Sequence, residues 1–237
     1  MSDHEIRQNK ASGEWVIFAP SRGKRPRDFS QQAAKSTLPE HEANCPFCTG
    51  NDNMLPGILL QMDEPNNGWK TRIVPNKFAA LSSSADTRRY DVGMYTAMPG
   101  YGMHEVIIEH PQHNQDISTM PLDDVKLVIE TYHKRYLQIM QEHKNMLPLL
   151  FRNHGARAGT SLIHPHSQLI VTGFVPNHIR HREEEAQRYY DQYGRCVFCD
   201  MMEFEKSANL RVVFENDSFL AFVPFAADVP FEVWIMP

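Results

Sequence analysis

The chain has 237 residues, 41% of them hydrophobic and 22% charged, with a net charge of -5. This is ordinary globular composition, which argues against a disordered, collagenous or coiled-coil chain, and the acidic balance argues against a broad nucleic-acid-binding surface. No run of about 18 apolar residues marks a membrane span. The opening MSDHEIRQNK has no apolar core of the signal-peptide kind, so the reading is a cytoplasmic protein. In that setting four cysteines point to metal or redox chemistry before structural disulfides.

Taken in order, residues 11–19 (ASGEWVIFA) read as a short strand, with Trp15, Ile17 and Phe18 as its packing residues. A basic loop follows, with Arg22, Lys24, Arg25 and Arg27 close together. Residues 30–44 read as loop, CPFC occupies 45–48, and 51–69 shows little periodicity. The segment 71–81 reads as a strand running into a loop at Pro75-Asn76, and 82–103 as irregular. HEVIIE (104–109) is a strand rich in β-branched residues. From 121 to about 144 apolar residues recur at three- and four-residue spacing, which predicts a helix with its aromatic residues in the core. Ser118 or Thr119 is its expected cap, and Asp123 and Asp124 suit its positive end.

Residues 147–153 then read as a buried strand, 154–161 as a turn with two glycines, and 164–173 as another strand. A polar helix is expected over 180–192, before CVFC at 196–199. Three further strand candidates follow at 210–216, 219–225 and 231–237. The order is not the regular βαβ alternation of a doubly wound sheet; it predicts an α+β fold with a mostly antiparallel sheet. The sequence stops at Pro237 directly after an apolar run, which reads as an edge cut through a domain.

Two thiolates at C-x2-C spacing can grip one tetrahedral zinc. Cys45/Cys48 and Cys196/Cys199 both have that spacing, and 147 residues separate the two pairs, so separate sites completed by histidines are expected. A redox role needs a CxxC that opens a helix after a strand, a context neither pair presents in sequence; plain buried cysteines are the third option. His164, His166 and Gln168 alternate along one strand and so project to one side. A metal could hold one imidazole while the next stays free for catalysis. Around them, Asn153, Gly155, Gly159 and Ser161 offer close backbone approach and polar donors to a phosphate. The arginines at 22–27 offer bidentate phosphate contacts, or form a solvated basic loop.

These pieces resemble the galactose-1-phosphate uridylyltransferase family of the histidine-triad superfamily. The resemblance rests on SGEWVIFAPSRGKRP, CPFCTGN, RIVPNKFAAL, EVIIEHPQH, FRNHGARAGTSLIHPHSQ and FLAFVPFAADVPFEVWIMP, which run in family order. The most specific element is N-x-G-x3-G-x-S-x2-H-P-H-x-Q. The resemblance implies a histidine-triad-like antiparallel sheet with packed helices, a catalytic domain over 1–175, and the start of a second, incomplete half-domain over 176–237. It implies a ping-pong nucleotidyltransferase of galactose metabolism, carrying UMP between a UDP-hexose and a hexose 1-phosphate.

In that scheme His166 is the nucleophile. Gln168, Ser161, Asn153 and Gly159 lie at the phosphates, Asn76 near the nucleoside, and Arg22 and Arg25 in the basic loop that meets phosphate. Cys45, Cys48, His113 and His164 match the structural zinc set, with His113 preferred over His110 because the pattern places the histidine two residues after proline. Cys196 and Cys199 resemble half of a second metal site found in some relatives. A homodimer is also implied. Ser167 stands where the family often has glycine, which keeps a second reading open: an ADP-glucose or dinucleoside polyphosphate phosphorylase, transferring adenylyl groups to phosphate. A zinc-stabilised binding module without catalysis is the third.

Overall fold

The computed structural model describes residues 5–18, 38–64 and 68–237. Strand β1 (Glu5–Gln8) pairs antiparallel with β2 (Trp15–Phe18) around a turn held by the Asn9 side chain, whose Oδ1 accepts the Ala11 N–H. The predicted strand at 11–19 is therefore half turn. Two of its three expected packing residues are exposed, Trp15 at 66% and Ile17 at 73%, because a two-stranded ribbon leaves them uncovered.

The main sheet has five strands in the order β3 (Leu60–Glu64), β4 (Gly68–Pro75), β7 (Gly102–Ile108), β9 (His166–Thr172) and β8 (Leu147–Phe151), with every neighbouring pair antiparallel. The fold class read from the sequence is thus the one observed. Strands β5 (Tyr90–Val92) and β6 (Tyr95–Ala97) form a small hairpin in the segment read as irregular.

Helix α1 (Leu122–Glu142) covers one face of the main sheet. Its Val128, Thr131 and Ile139 are buried, and Ile139 joins Leu60, Ile73, Ile107, Leu169 and Val171 in a core cluster. Each such fully buried aliphatic side chain is worth roughly 1.5–3 kcal/mol. Two expectations for this helix are corrected. Pro121, with no side-chain cap, holds the N-cap position instead of Ser118 or Thr119, since proline's extended backbone already sets the entry. Tyr132 packs on the core, but Tyr136 is exposed. The opposite face of the sheet carries a second cluster, in which Val74, Val106 and Ile108 pack against Cys45, Phe47, Cys48 and Trp69.

Gly102 shows how tightly the central strands approach. Its φ is +154°, and a Cβ there would meet the Val171 carbonyl oxygen at 2.3 Å. Gly102→Ala is expected to destabilise the chain by about 2 kcal/mol or more, because backbone cannot give way. A urea unfolding midpoint equal to the parent's would contradict this packing.

The C-terminal elements are α2 (Asn177–Tyr193), α3 (Val197–Ala208) and a three-stranded antiparallel sheet of β10 (Val212–Glu215), β11 (Leu220–Phe222) and β12 (Trp234–Met236). Helix α3 starts inside the CVFC motif and was not foreseen. Among the described residues, 38–64 and 68–174 form one compact unit, and the opening hairpin groups with Val175–Pro237 in the other. This differs from the division at 1–175. Its physical cause is visible at Arg7, which donates to the Phe225 carbonyl at 3.1 Å and lies over the Phe225 ring.

Candidate active site and metal centre

A cavity of about 860 Å³ opens on the face of the main sheet opposite α1. Asn76, Gly159, Ser161, His166 and Gln168, five residues singled out in the sequence, line it together with His104, Phe47 and Phe78. Asn153 lies outside its wall, with its carbonyl accepting from the Thr160 hydroxyl at 2.7 Å. Arg22 and Arg25 lie outside the described residues.

His166 opens β9, and its Nδ1 is 2.8 Å from the carbonyl oxygen of His164. A carbonyl only accepts, so Nδ1 carries the proton, and in the neutral ring Nε2 keeps its lone pair. The Phe47 ring packs 5.5 Å from the His166 ring and 5.9 Å from that of His164.

The register explains which side chains meet. Val106 pairs with Gln168 and Ile108 with His166 across β7 and β9, so His104 belongs to the same face. Its Nδ1 accepts the Ala80 N–H at 3.1 Å, which leaves Nε2–H to donate to Gln168 Oε1 at 2.9 Å. The Gln168 amide is thereby oriented, with no partner for its NH2 among the described residues. Asn76 Nδ2 lies 3.1 Å from the same His104 nitrogen, and Asn76 Oδ1 accepts the Phe78 N–H. His104 was missed in the sequence, because its place on this face follows from the β7–β9 register. Gly159 has φ of +82°, so this wall of the cavity needs a residue tolerant of left-handed backbone.

Beside the cavity, Cys45, Cys48, His113 and His164 form a buried cluster whose ligand atoms all lie within 4.8 Å of one another. Cys48 Sγ is 3.6 Å from Nδ1 of both His113 and His164. Tetrahedral zinc, with bonds of about 2.3 Å to sulfur and 2.0–2.1 Å to nitrogen, sets sulfur and nitrogen about 3.6 Å apart. The donor set therefore fits a zinc-like cation. His164 Nε2–H donates to the His110 carbonyl at 2.7 Å, which turns the Nδ1 lone pair inward. His110 itself is not in the cluster, in line with the preference for His113. Burial pushes the Cys45 thiol up to about 11, so a bound cation is what would favour its thiolate.

Burial also pulls His164 down from 6.5 to about 4. The unfolded chain then takes up a proton near pH 6.5 that the folded chain refuses until about pH 4, so acid favours unfolding across this window. The metal-free protein is expected to lose up to about 3 kcal/mol from this histidine between those pH values. Denaturant melts of the parent and His164→Asn check it; parallel pH profiles would contradict it.

Cys196 and Cys199 are exposed and belong to the other unit. Cys196 caps α3, and the Cys199 backbone N–H lowers its thiol below the ordinary value. Among the described residues, no group of three or more ligating side chains forms around them. The pair opens a helix, but a helix rather than a strand precedes it.

An antiparallel α+β sheet carrying His-x-His at a strand start, with a cavity on one side and a Cys2His2 cluster beside it, defines a histidine-triad-like domain. Residues 1–176 match the family model for galactose-1-phosphate uridyl transferase, N-terminal domain, and the chain belongs to that family. It is 33% identical to an ADP-glucose phosphorylase of Arabidopsis thaliana, over 98% of this chain and 65% of that protein. It is 27% identical to the galactose-1-phosphate uridylyltransferase of Thermotoga maritima, over 98% of this chain and 66% of that protein. The chain thus spans just under two-thirds of the length of these relatives. A crystal structure of the Arabidopsis ADP-glucose phosphorylase with bound ADP-glucose superposes with a TM-score of 0.80 at 32% identity, covering all of this chain and 68% of that one. A uridylyltransferase structure gives 0.69 at 29% identity, covering 98% of this chain and 65% of that one.

Proposed function

We propose that the protein is a nucleotidyltransferase that works through a covalent nucleotidyl-His166 intermediate, with a nucleotide-hexose as donor. The observation that carries this is the His166 ring in the cavity wall, with Nδ1 2.8 Å from the His164 carbonyl oxygen, a contact that in the neutral ring leaves the lone pair on Nε2. Nε2 attacks the α-phosphorus, a P–N bond forms, and the P–O bond to the sugar 1-phosphate breaks. The His164 carbonyl stabilises the positive charge that the ring gains. An oxygen of the acceptor phosphate then attacks phosphorus and the P–N bond breaks, which restores the free imidazole.

The free amide NH2 of Gln168 and the Ser161 hydroxyl are the donors to the phosphoryl oxygens as charge spreads over them. Asn76 serves the nucleoside side. Asn153, Gly159 and the arginines Arg22 and Arg25 complete the phosphate contacts. Cys45, Cys48, His113 and His164 would hold a zinc ion, whose chemistry would be structural, since four protein ligands leave it no open position. Held there, His164 fixes the carbonyl that orients His166. The homodimer and the cytoplasmic setting belong to the same proposal, as does a second metal at Cys196 and Cys199. No helix among the described residues is long and apolar enough to cross a membrane.

The first reading of the reaction is UMP exchange between UDP-hexose and hexose 1-phosphate, which the family match supports. The second, adenylyl transfer from ADP-glucose to phosphate, is favoured by the 33% identity to the Arabidopsis phosphorylase. Turnover assays pairing UDP-glucose or ADP-glucose with galactose 1-phosphate or inorganic phosphate separate them. UDP-glucose consumption dependent on galactose 1-phosphate supports the first, ADP-glucose consumption dependent on phosphate supports the second, and no consumption of either donor speaks against both.

A further inference from the structure

Glu109 is 1% exposed and takes no part in the chemistry above. It sits one residue past β7, on the face of the sheet turned away from the cavity. Ser167 Oγ donates to its Oε1 at 2.5 Å, and the Tyr132 hydroxyl of α1 donates to the same oxygen at 2.7 Å. Arg152 Nε, just beyond β8, reaches both carboxyl oxygens at 3.0 and 3.1 Å. Burial and the Glu109 charge hold the Tyr132 phenol well above its ordinary value, so it stays a donor. The Glu109 N–H also donates to the Pro165 carbonyl at 3.1 Å, between the two histidines of the motif.

The geometry places this cluster directly behind the nucleophile. Ser167 separates His166 from Gln168, and both of those face the cavity while Ser167 faces Glu109. The side chain that stands in for the family's glycine therefore reaches the nucleotide only through the backbone. Arg152 precedes the turn that runs from Asn153 to Ser161, and its other nitrogens reach Asp116 and His154 at 3.3 Å. One buried carboxyl group thus joins the ends of three adjacent strands and α1, at the point where the chain turns into HPH.

We infer that Glu109, gripped by Ser167, Tyr132 and Arg152, is a positioning residue that fixes the distance and angle at which His166 meets the phosphorus. Hydrogen bonds in a sealed interior are strong and directional, and a misplacement of about 1 Å can cost about a hundredfold in rate. The inference rests on the nucleotidyl-His166 reading, and two readouts keep them apart. The first is the single-turnover rate of adduct formation with UDP-glucose or ADP-glucose, measured beside donor affinity, metal content and melting temperature. The second is the nitrogen-15 NMR signature of the His166 ring without substrate.

Ser167→Ala and Tyr132→Phe each remove one donor and leave Arg152 on Glu109. Both are expected to keep the metal and to bind donor within about twofold of the parent. The adduct should form about tenfold or more slowly, and the protected Nδ1–H signal of His166 should broaden or be lost. Folded, metal-replete variants with the parent's rate and signal would overturn the inference. If the parent forms no adduct with either donor, the functional reading fails, and the NMR signature alone then decides: a signal unchanged in both variants overturns the positioning role. If Ser167→Ala does not fold, Tyr132→Phe provides the test.

Discussion

Replacing His166 by alanine is expected to abolish the covalent intermediate and to lower turnover at least about 10³-fold, the scale of losing a nucleophile that acts as part of a unit. The size of the effect follows from the division of labour in the cavity. In the proposed mechanism Gln168 and Ser161 stabilise charge, and removal of one such donor costs about 10²–10³ because the others remain. Among the described residues of the cavity wall, no other imidazole offers a free lone pair. His104 is the other cavity imidazole, but its Nδ1 accepts from Ala80 and its Nε2 donates to Gln168, so neither nitrogen is free to attack. His166→Ala should leave fold, metal content and donor affinity near those of the parent. Residual turnover within tenfold of the parent would mean that another group carries the nucleotide.

The second large effect is on stability. Cys48→Ser or His164→Ala is expected to remove the bound metal and to destabilise the chain by several kcal/mol, given the 10–16 kcal/mol found for structural zinc in small domains at neutral pH. For a chain of this size that corresponds to a fall in melting temperature of about 10 °C or more. The cause lies in the contacts of the cluster. Cys45 and Cys48 pack in one cluster with Val74, Val106 and Ile108 of the sheet, and Phe47 between them packs on both His164 and His166. Loss of the metal therefore releases the wall of the cavity as well as the ligands, so activity should fall together with stability. Cys199→Ser should change neither the content of this metal nor the melting temperature to a comparable degree. Metal analysis and calorimetry on the three variants check this, and a metal-free His164→Ala that melts with the parent would contradict it.

The site was legible in the sequence where chemistry is concentrated in a short stretch. His166 and Gln168 share one face of β9, as their spacing suggested, whereas His164 lies just before the strand and turns to the metal cluster; of the two C-x2-C pairs, Cys45 and Cys48 join such a cluster. The cluster of Cys45, Cys48, His113 and His164 needs chain segments more than a hundred residues apart, and only the family pattern joined them in advance. What stayed hidden depends on register. His104 enters the site because β7 lies antiparallel to β9 with Val106 opposite Gln168, a pairing that no local pattern specifies. Ser167 drew notice only as a departure from glycine, and its direction, away from the cavity and toward Glu109, follows from strand alternation combined with knowledge of which face α1 covers.

Secondary structure was missed where elements are short or lack periodicity. Strand β3 lies in a stretch punctuated by glycine and proline, and α3 begins within a motif that reads as a metal knuckle. The exposure of Trp15 and Ile17 is the opposite error: an apolar alternation that marks a strand does not show that another layer covers it. Helix α1, long and strongly periodic, was read almost to its ends.

The central claim is that a nucleotide becomes bonded to His166. The most direct test is the intact mass of the denatured protein after mixing with UDP-glucose or with ADP-glucose, kept away from acid to preserve a phosphoramidate. The account predicts a gain of one nucleoside monophosphate with at least one of the two donors, and no gain in His166→Ala. No adduct on the metal-replete chain with either donor, or an adduct that persists in His166→Ala, would contradict it.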